Sequence, residues 1–286
     1  MPLAHRSLLL DLARAGERLV SVGERGHILV SDDGGRQWRQ VAVPLRSTLT
    51  GVYFVDARNG WAVGHDAAIL RSTDGGDSWR IQYYDAAGET PLLDVWFRDI
   101  DRGIAVGAYG LLLETFDGGA TWNQRRLIEE DDFHLNQISA TADGQLWVAA
   151  EAGNLYTSND QGLSWEVADS PYEGSLFGVL PLAPETLLLY GLRGHLFRSS
   201  DGGASWTPIE TGVTALLHGA ARLDDGGAVV VGMDGMILRA GPGSDGFRVY
   251  PQPDRLGLTA VLQVGDALVM SGEGGLTRLD LDRLEP

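Results

Sequence analysis

The chain has 286 residues, long enough for a sizeable core and within what one closed β architecture absorbs. Its formal net charge of −17 argues against nucleic acid or an anionic lipid surface as a partner. All 22 basic residues are arginine, which excludes a lysine nucleophile or Schiff base, and the lack of cysteine excludes disulfides, thiolate catalysis and cysteine metal sites.

The opening residues, Met1 to Arg6, lack the basic-then-apolar build of a secretory leader, and the apolar run from Ser7 to Ala13 is short and broken by Asp11. No run approaches the length of a membrane span, so direct membrane insertion is not expected. From there the chain repeats itself. Seven apolar segments carry a small or polar residue at one register, positions 11, 51, 94, 137, 178, 219 and 260. A second segment then ends at Gly23, Gly64, Gly107, Ala150, Gly191, Gly232 and Ser271, and a third follows Gly26, Ala67, Gly110, Gly153, Gly194, Gly235 and Gly274.

A turn motif closes most copies. Ser/Thr-x-Asp-x-Gly-x-x-Trp occurs five times, with Asp33, Asp74, Asp117, Asp160 and Asp201 followed by Trp38, Trp79, Trp122, Trp165 and Trp206. The tryptophans are 41, 43, 43 and 41 residues apart. A short polar side chain ahead of glycine suits a tight turn, because Asp accepts bonds from nearby backbone N–H groups and Gly supplies positive φ. These five aspartates are therefore expected to tie their own turns. Four short strands per repeat of about 40 residues define a propeller blade, so the predicted fold is all-β, a seven-bladed propeller of four-stranded antiparallel blades in one domain, 1–286. The blades are expected at 7–44, 47–86, 91–128, 133–170, 174–211, 214–252 and 256–286 plus 1–6. The sixth has only a degenerate hairpin at 241–246 ending in Phe247. The seventh lacks a fourth strand, and Pro2 to Arg6 is expected to pair outside Gly275 to Leu281 and close the ring.

The turn motif resembles the BNR or Asp-box repeat of propeller blades, known from sialidases, in which the box stabilises a turn and does no chemistry. Two blades carry a longer likeness. Val52 to Gly64 leads into Ile69 to Gly76, and Val95 to Gly107 repeats that layout. This looks like the photosystem II stability/assembly factor family of seven-bladed propellers, and the pattern recurs along essentially the whole chain. The resemblance implies a non-enzymatic assembly factor, placed in the periplasm or cell envelope, that holds a membrane or envelope protein. The residues themselves leave a cytoplasmic location open. A protein or peptide partner, a monomeric state and no cofactor are expected.

Two sets of residues are candidates for binding. The turn between second and third strands presents Arg25, His65, Asp66, Tyr109, Glu151, Arg193 and Asp234, a mixed polar set on loops held by a rigid scaffold. Arg71, Arg198, Arg239 and Arg278 share one register of the third strand and resemble the arginine-rich surface of the assembly-factor family. The alternative for these arginines is a stem packed over the neighbouring tryptophan with its head in solvent. Asp11, Asp94, Gln137 and His218 on the innermost strands either line the channel or bond the backbone of the next blade. The six histidines show no metal-ligand spacing, and no metal site is expected.

The rival reading is a sialidase-like glycoside hydrolase, and a glycan- or small-molecule-binding propeller is a third. Such hydrolysis needs an arginine clamp, a Tyr nucleophile with its Glu, and a separate acid. Tyr53, Tyr109, Tyr190, Glu151 and Asp66 supply the residue types, but the Arg-Ile-Pro motif is missing and sialidases have six blades.

Overall fold

Short strands joined by tight turns account for nearly all of the computed structural model, which describes residues 4–129, 131–244 and 246–284. No α-helix occurs among them, and no helix is long and apolar enough to cross a membrane. In chain order the first sheet holds β1 (Leu9–Ala15), β2 (Arg18–Gly23), β3 (Ile28–Ser31) and β4 (Arg39–Val41). The second holds β5 (Leu49–Phe54), β6 (Gly60–Gly64), β7 (Ile69–Ser72) and β8 (Arg80–Tyr83), and the third β9 (Leu92–Phe97), β10 (Gly103–Gly107), β11 (Leu112–Thr115) and β12 (Asn123–Arg125). The fourth has β13 (Leu135–Ala140), β14 (Leu146–Ala150), β15 (Leu155–Ser158) and β16 (Glu166–Val167). The fifth has β17 (Leu176–Ala183), β18 (Thr186–Gly191), β19 (Leu196–Ser199) and β20 (Thr207–Ile209), and the sixth β21 (Leu217–Arg222), β22 (Ala228–Gly232), β23 (Met236–Ala240) and β24 (Arg248–Val249). The last sheet has three strands, β25 (Leu258–Val264), β26 (Ala267–Gly272) and β27 (Gly275–Asp280). Each sheet runs in sequence order from its first strand outward. This is a seven-bladed β-propeller.

The chain divides into two units, one of residues 1–132 with 269–278 and one of 133–268 with 279–286. In the first, β2 and β6 are buried along nearly their whole length, because a second strand lies between neighbours in its sheet and is covered on both faces. Val20, Val22, Ile28 and Val30 pack with Leu49, Val52, Ala62 and Leu70, and Trp61 stacks on Phe97 with ring centroids 3.4 Å apart. The second unit repeats the scheme. Trp147, Ala149 and Leu155 pack with Val179, Leu187 and Phe197, and Leu188, Tyr190 and Leu196 pack with Leu217, Val230 and Leu238.

The second strands end where the sequence places their glycines, at Gly23, Gly64, Gly107, Gly191 and Gly232, with Ala150 in the fourth blade; in the seventh the strand ends at Gly272, one residue beyond Ser271. The reason is close approach of backbone. A Cβ on Gly64 would lie 2.1 Å from the Thr48 carbonyl oxygen, and one on Gly232 2.0 Å from that of Leu216.

Among the described residues no strand is added to the last blade. Ala4–Arg6 forms a single 3-10 turn, held by Ser7 Oγ donating to the Ala4 carbonyl at 2.7 Å, while Pro2 and Leu3 lie outside the described residues. The turn packs Ala4 with Leu9, Leu29 and Leu276, and it passes so close to Gly275 that a Cβ there would meet the His5 carbonyl oxygen at 2.0 Å.

Candidate functional site

The five repeated turns share one bonding scheme. In the second blade, Ser72 Oγ donates to Asp74 at 2.8 Å and accepts from the Gly76 N–H at 2.9 Å. Asp74 also accepts from the Ser78 N–H at 3.0 Å and the Ser78 hydroxyl at 2.6 Å. Asp117, Asp160 and Asp201 repeat the scheme with Thr121, Ser164 and Ser205, and Asp33 does so with the N–H groups of Arg36 and Gln37. Bonds donated to the ionised carboxylate hold Asp117, Asp160 and Asp201 down to about 2, and lower Asp33 and Asp74 as well. Trp38, Trp79 and Trp165 donate their indole N–H to the turn glycine's carbonyl at 3.1 Å, whereas those of Trp122 and Trp206 are buried without an acceptor among the described residues. Every one of these carboxylates is occupied by its own turn.

The turns from second to third strand are also alike. Arg25, Tyr109, Ala152, Arg193 and Asp234 each sit at φ of 55–57°, ahead of a left-handed glycine, and all five are exposed. In the second blade Asp66 and Ala67 take those two places. Left-handed backbone costs an L-residue about 1–2 kcal/mol, and these side chains recover little of it by burial. Tyr109 is 60% exposed. Within the first unit this turn type presents Arg25, His65, Asp66 and Tyr109; Asp66 accepts from Ser47 Oγ at 2.5 Å and from the Tyr84 hydroxyl at 3.3 Å. Within the second it presents Glu151, Arg193 and Asp234. Glu151 accepts from the His134 N–H at 2.9 Å and faces its imidazole at 3.5 Å.

The arginine register behaves differently. Arg71 lies with its guanidinium carbon 5.2 Å from the centre of the Trp61 ring, and its Nη1 donates to the Gly118 carbonyl of the next blade at 2.7 Å. Arg198 donates to the Ser244 carbonyl at 2.9 Å. Arg239 donates to the carbonyls of Leu284 and Leu281 at 2.6 and 3.2 Å and lies 3.6 Å from Asp225. Arg278 is half-buried. The stem of Arg71 does pack over a tryptophan, but the heads of Arg71, Arg198 and Arg239 are engaged by main-chain carbonyls of a turn or chain end some 42–47 residues onward. Arg18, outside this register, does the same for Gly75 at 3.1 Å while pairing with Asp32 and Asp77 at 2.6 and 3.0 Å. Nothing in its local sequence marks that role.

Inner-strand polar groups also bond the next blade. Asp11 accepts from the N–H groups of Val52 and Leu12, both at 2.8 Å, and Gln137 accepts from the Val179 N–H at 2.9 Å. His218 Nδ1 donates to the Thr259 carbonyl at 2.9 Å, and Asn136 donates to that of Leu176 at 2.8 Å. Asp11 keeps some exposed surface but lies deep in the protein mass, and that depth pushes its carboxyl up to about 7. Gly51 and Gly178 complete the fit, since a Cβ at either would crowd Asp94 or Gln137.

Of the tyrosines considered as nucleophiles, Tyr190 is buried against Gly178, and burial raises the Tyr53 hydroxyl above its ordinary value. The raised value opposes formation of a Tyr53 phenolate.

Stapled four-stranded blades with exposed left-handed turns define a repeat propeller whose variable chemistry sits on its loops. The family model for photosynthesis system II assembly factor YCF48 matches residues 30–91 and 84–255, and the chain belongs to that family. No curated protein matches. Among solved structures, one titled YCF48 bound to D1 peptide aligns with a TM-score of 0.78 at 18% identity, covering 96% of this chain and 93% of that one. YCF48 from Cyanidioschyzon merolae aligns with 0.78 at 17% identity over 97% of both. Virginiamycin B lyase from Staphylococcus aureus aligns with 0.83 at 11% identity over 96% of both. At these identities the likeness is one of fold.

Proposed function

We propose that the chain is a non-catalytic, polypeptide-binding propeller that acts as a monomeric assembly factor for a membrane or envelope protein, on the periplasmic side. The observation that carries this reading is the set of left-handed turns. Five blades spend backbone strain on exposed residues of differing chemistry, where glycine would serve the turn as well. Family membership supports the reading, as does a propeller of the same fold described as bound to a peptide. The repeated Asp turns and the arginines at 71, 198 and 239 are assigned to structure, because their polar atoms are already bonded within the blades. A lyase also shares the fold, so fold alone does not choose between binding and catalysis.

The test is affinity capture from solubilised envelope of the source organism, with wild type and Arg71→Ala as baits. Enrichment of one envelope polypeptide by both baits is the expected result. Enrichment of none, together with turnover of a glycoside or specific retention on a glycan array, would replace the reading with the hydrolase or lectin alternative.

A further inference from the structure

The first blade holds a cavity of ≈ 610 Å³ between its β2–β3 turn and the chain that follows β4. That volume is within the range of small-ligand sites. Burial alternates from Val41 to Arg46, with Val41, Val43 and Leu45 turned inward and Ala42, Pro44 and Arg46 exposed, so the chain stays extended after the ladder ends. Val43 and Leu45 pack on the blade core. They cross Gly26 closely, where a Cβ would lie 2.7 Å from the Leu45 carbonyl oxygen. The walls are therefore fixed by backbone contact and core packing.

Arg25 and Arg46 both line this cavity and are exposed, and among the described residues neither makes a hydrogen bond or ion pair. They differ in this from Arg71, Arg198 and Arg239, whose heads are bonded to carbonyls. No Asp or Glu lines the cavity, although the chain has 39 acidic residues against 22 basic ones. His27 forms one wall. Ser7 Oγ donates to the Ala4 carbonyl, so it accepts from His27 Nδ1, and burial lowers the imidazole's affinity for a proton. The site thus offers two arginine forks, a neutral imidazole wall and an apolar side at Val43 and Pro44. A planar guanidinium matches a carboxylate with two parallel bonds.

We infer that this cavity recognises a carboxylate of the partner polypeptide, at a chain terminus or on an Asp or Glu side chain, with an apolar neighbour lying against Val43 and Pro44. The inference rests on the polypeptide-binding reading and names a site for it. The local reversal of charge in an acidic protein selects the occupant, since two cations here attract an anionic group that the acidic remainder of the surface repels.

The experiment follows the arginine Nε–Hε resonances of the intact protein by NMR during titration with three randomised hexapeptide pools. One pool has a free C-terminal carboxylate and no Asp or Glu, the second is the same pool amidated, and the third is amidated with one Glu at each peptide's centre. Inorganic phosphate is titrated separately. Saturable shifts of the Arg25 and Arg46 signals with the first or third pool and none with the second are expected, and whichever pool acts identifies a terminal or side-chain carboxylate. Arg25→Gly, which suits the left-handed turn, and Arg46→Ala should each weaken that binding about 10-fold, because each removes a charge-assisted pair. Arg46→Lys should recover only part of it. An otherwise unchanged amide spectrum separates lost binding from lost folding. No saturable shift with either carboxylate pool, equal shifts with the amidated pool, or tighter binding of phosphate would overturn the inference. If a captured partner binds Arg25→Gly and Arg46→Ala as well as wild type, the site is wrong while the function stands. If both carboxylate pools bind but capture yields no polypeptide, the site stands and the function is wrong.

Discussion

Replacing Asp74 by alanine removes three bonds at once, those from Ser72 Oγ, the Ser78 N–H and the Ser78 hydroxyl. The turn then loses the group that fixes its entry to Trp79, which is buried with its ring edge-on to Phe54 at 5.9 Å. Because the carboxylate is exposed, water replaces part of what is lost. The comparable case is removal of a helix-capping side chain, which costs about 1 kcal/mol within a range of roughly 0.5–2. For a chain of this size that lowers the thermal midpoint by about 1–3 °C. Thermal unfolding followed by tryptophan fluorescence, with exposed Thr73→Ala as the control, measures it. Peptide or partner binding should be unchanged at temperatures where the variant is folded. A midpoint equal to wild type, or unchanged stability with lost binding, would refute the assignment of this carboxylate to its own turn.

Asp160→Asn tests the same turn by pH. The folded carboxyl is depressed to about 2 against an ordinary 3.8, so its stabilisation is present above pH 4 and disappears as pH falls through 2. The stability gap between wild type and variant should close over that interval, and a constant gap would show a steric cause. Asp11 has the opposite sign: its folded value is raised from 3.8 to about 7, so its contribution to stability is fullest below pH 4 and declines as pH rises toward 7. Its carboxyl carbon should titrate near pH 7 by NMR, and titration near 4 would contradict the buried placement. Arg71→Ala should destabilise the protein by about 1–3 kcal/mol in denaturant unfolding, through the lost charge-assisted bond to Gly118, and leave partner affinity unchanged.

The repeat could be read because its signals are local. Ser72, Asp74, Gly76 and Trp79 contact one another within eight residues, so their spacing alone carries the turn; its five copies mark five blades, and the seven registers of the first three segments complete the count. Gly64 and Gly107 show as strand ends through their repeat, although the cause is the carbonyl of the residue just ahead of the preceding strand and no special φ. The staples were only half visible. The register shared by Arg71, Arg198 and Arg239 shows in the sequence, but the carbonyls they bond lie more than 40 residues onward, where no side chain marks an acceptor. Asp11 was ambiguous because an aspartate on an inner strand reads alike whether it faces solvent or an N–H of Val52. Arg46 was missed altogether. Its segment has no motif, and its meaning comes from Arg25 and the missing acids in the same cavity. At the amino end, Pro2 to Arg6 suggests a closing strand; Ala4–Arg6 forms a tight turn held by the Ser7 hydroxyl, and Pro2 and Leu3 lie outside the described residues.

The most direct measurement of the central claim is quantitative capture of the envelope partner on three baits: wild type, the Arg71→Ala staple variant, and a loop variant joining Arg25→Gly with Tyr109→Gly. All three should show native spectra. The account predicts equal recovery of one polypeptide by wild type and the staple variant, and its loss from the loop variant. Recovery by the loop variant with loss from the staple variant would contradict it and return the binding surface to the arginine register.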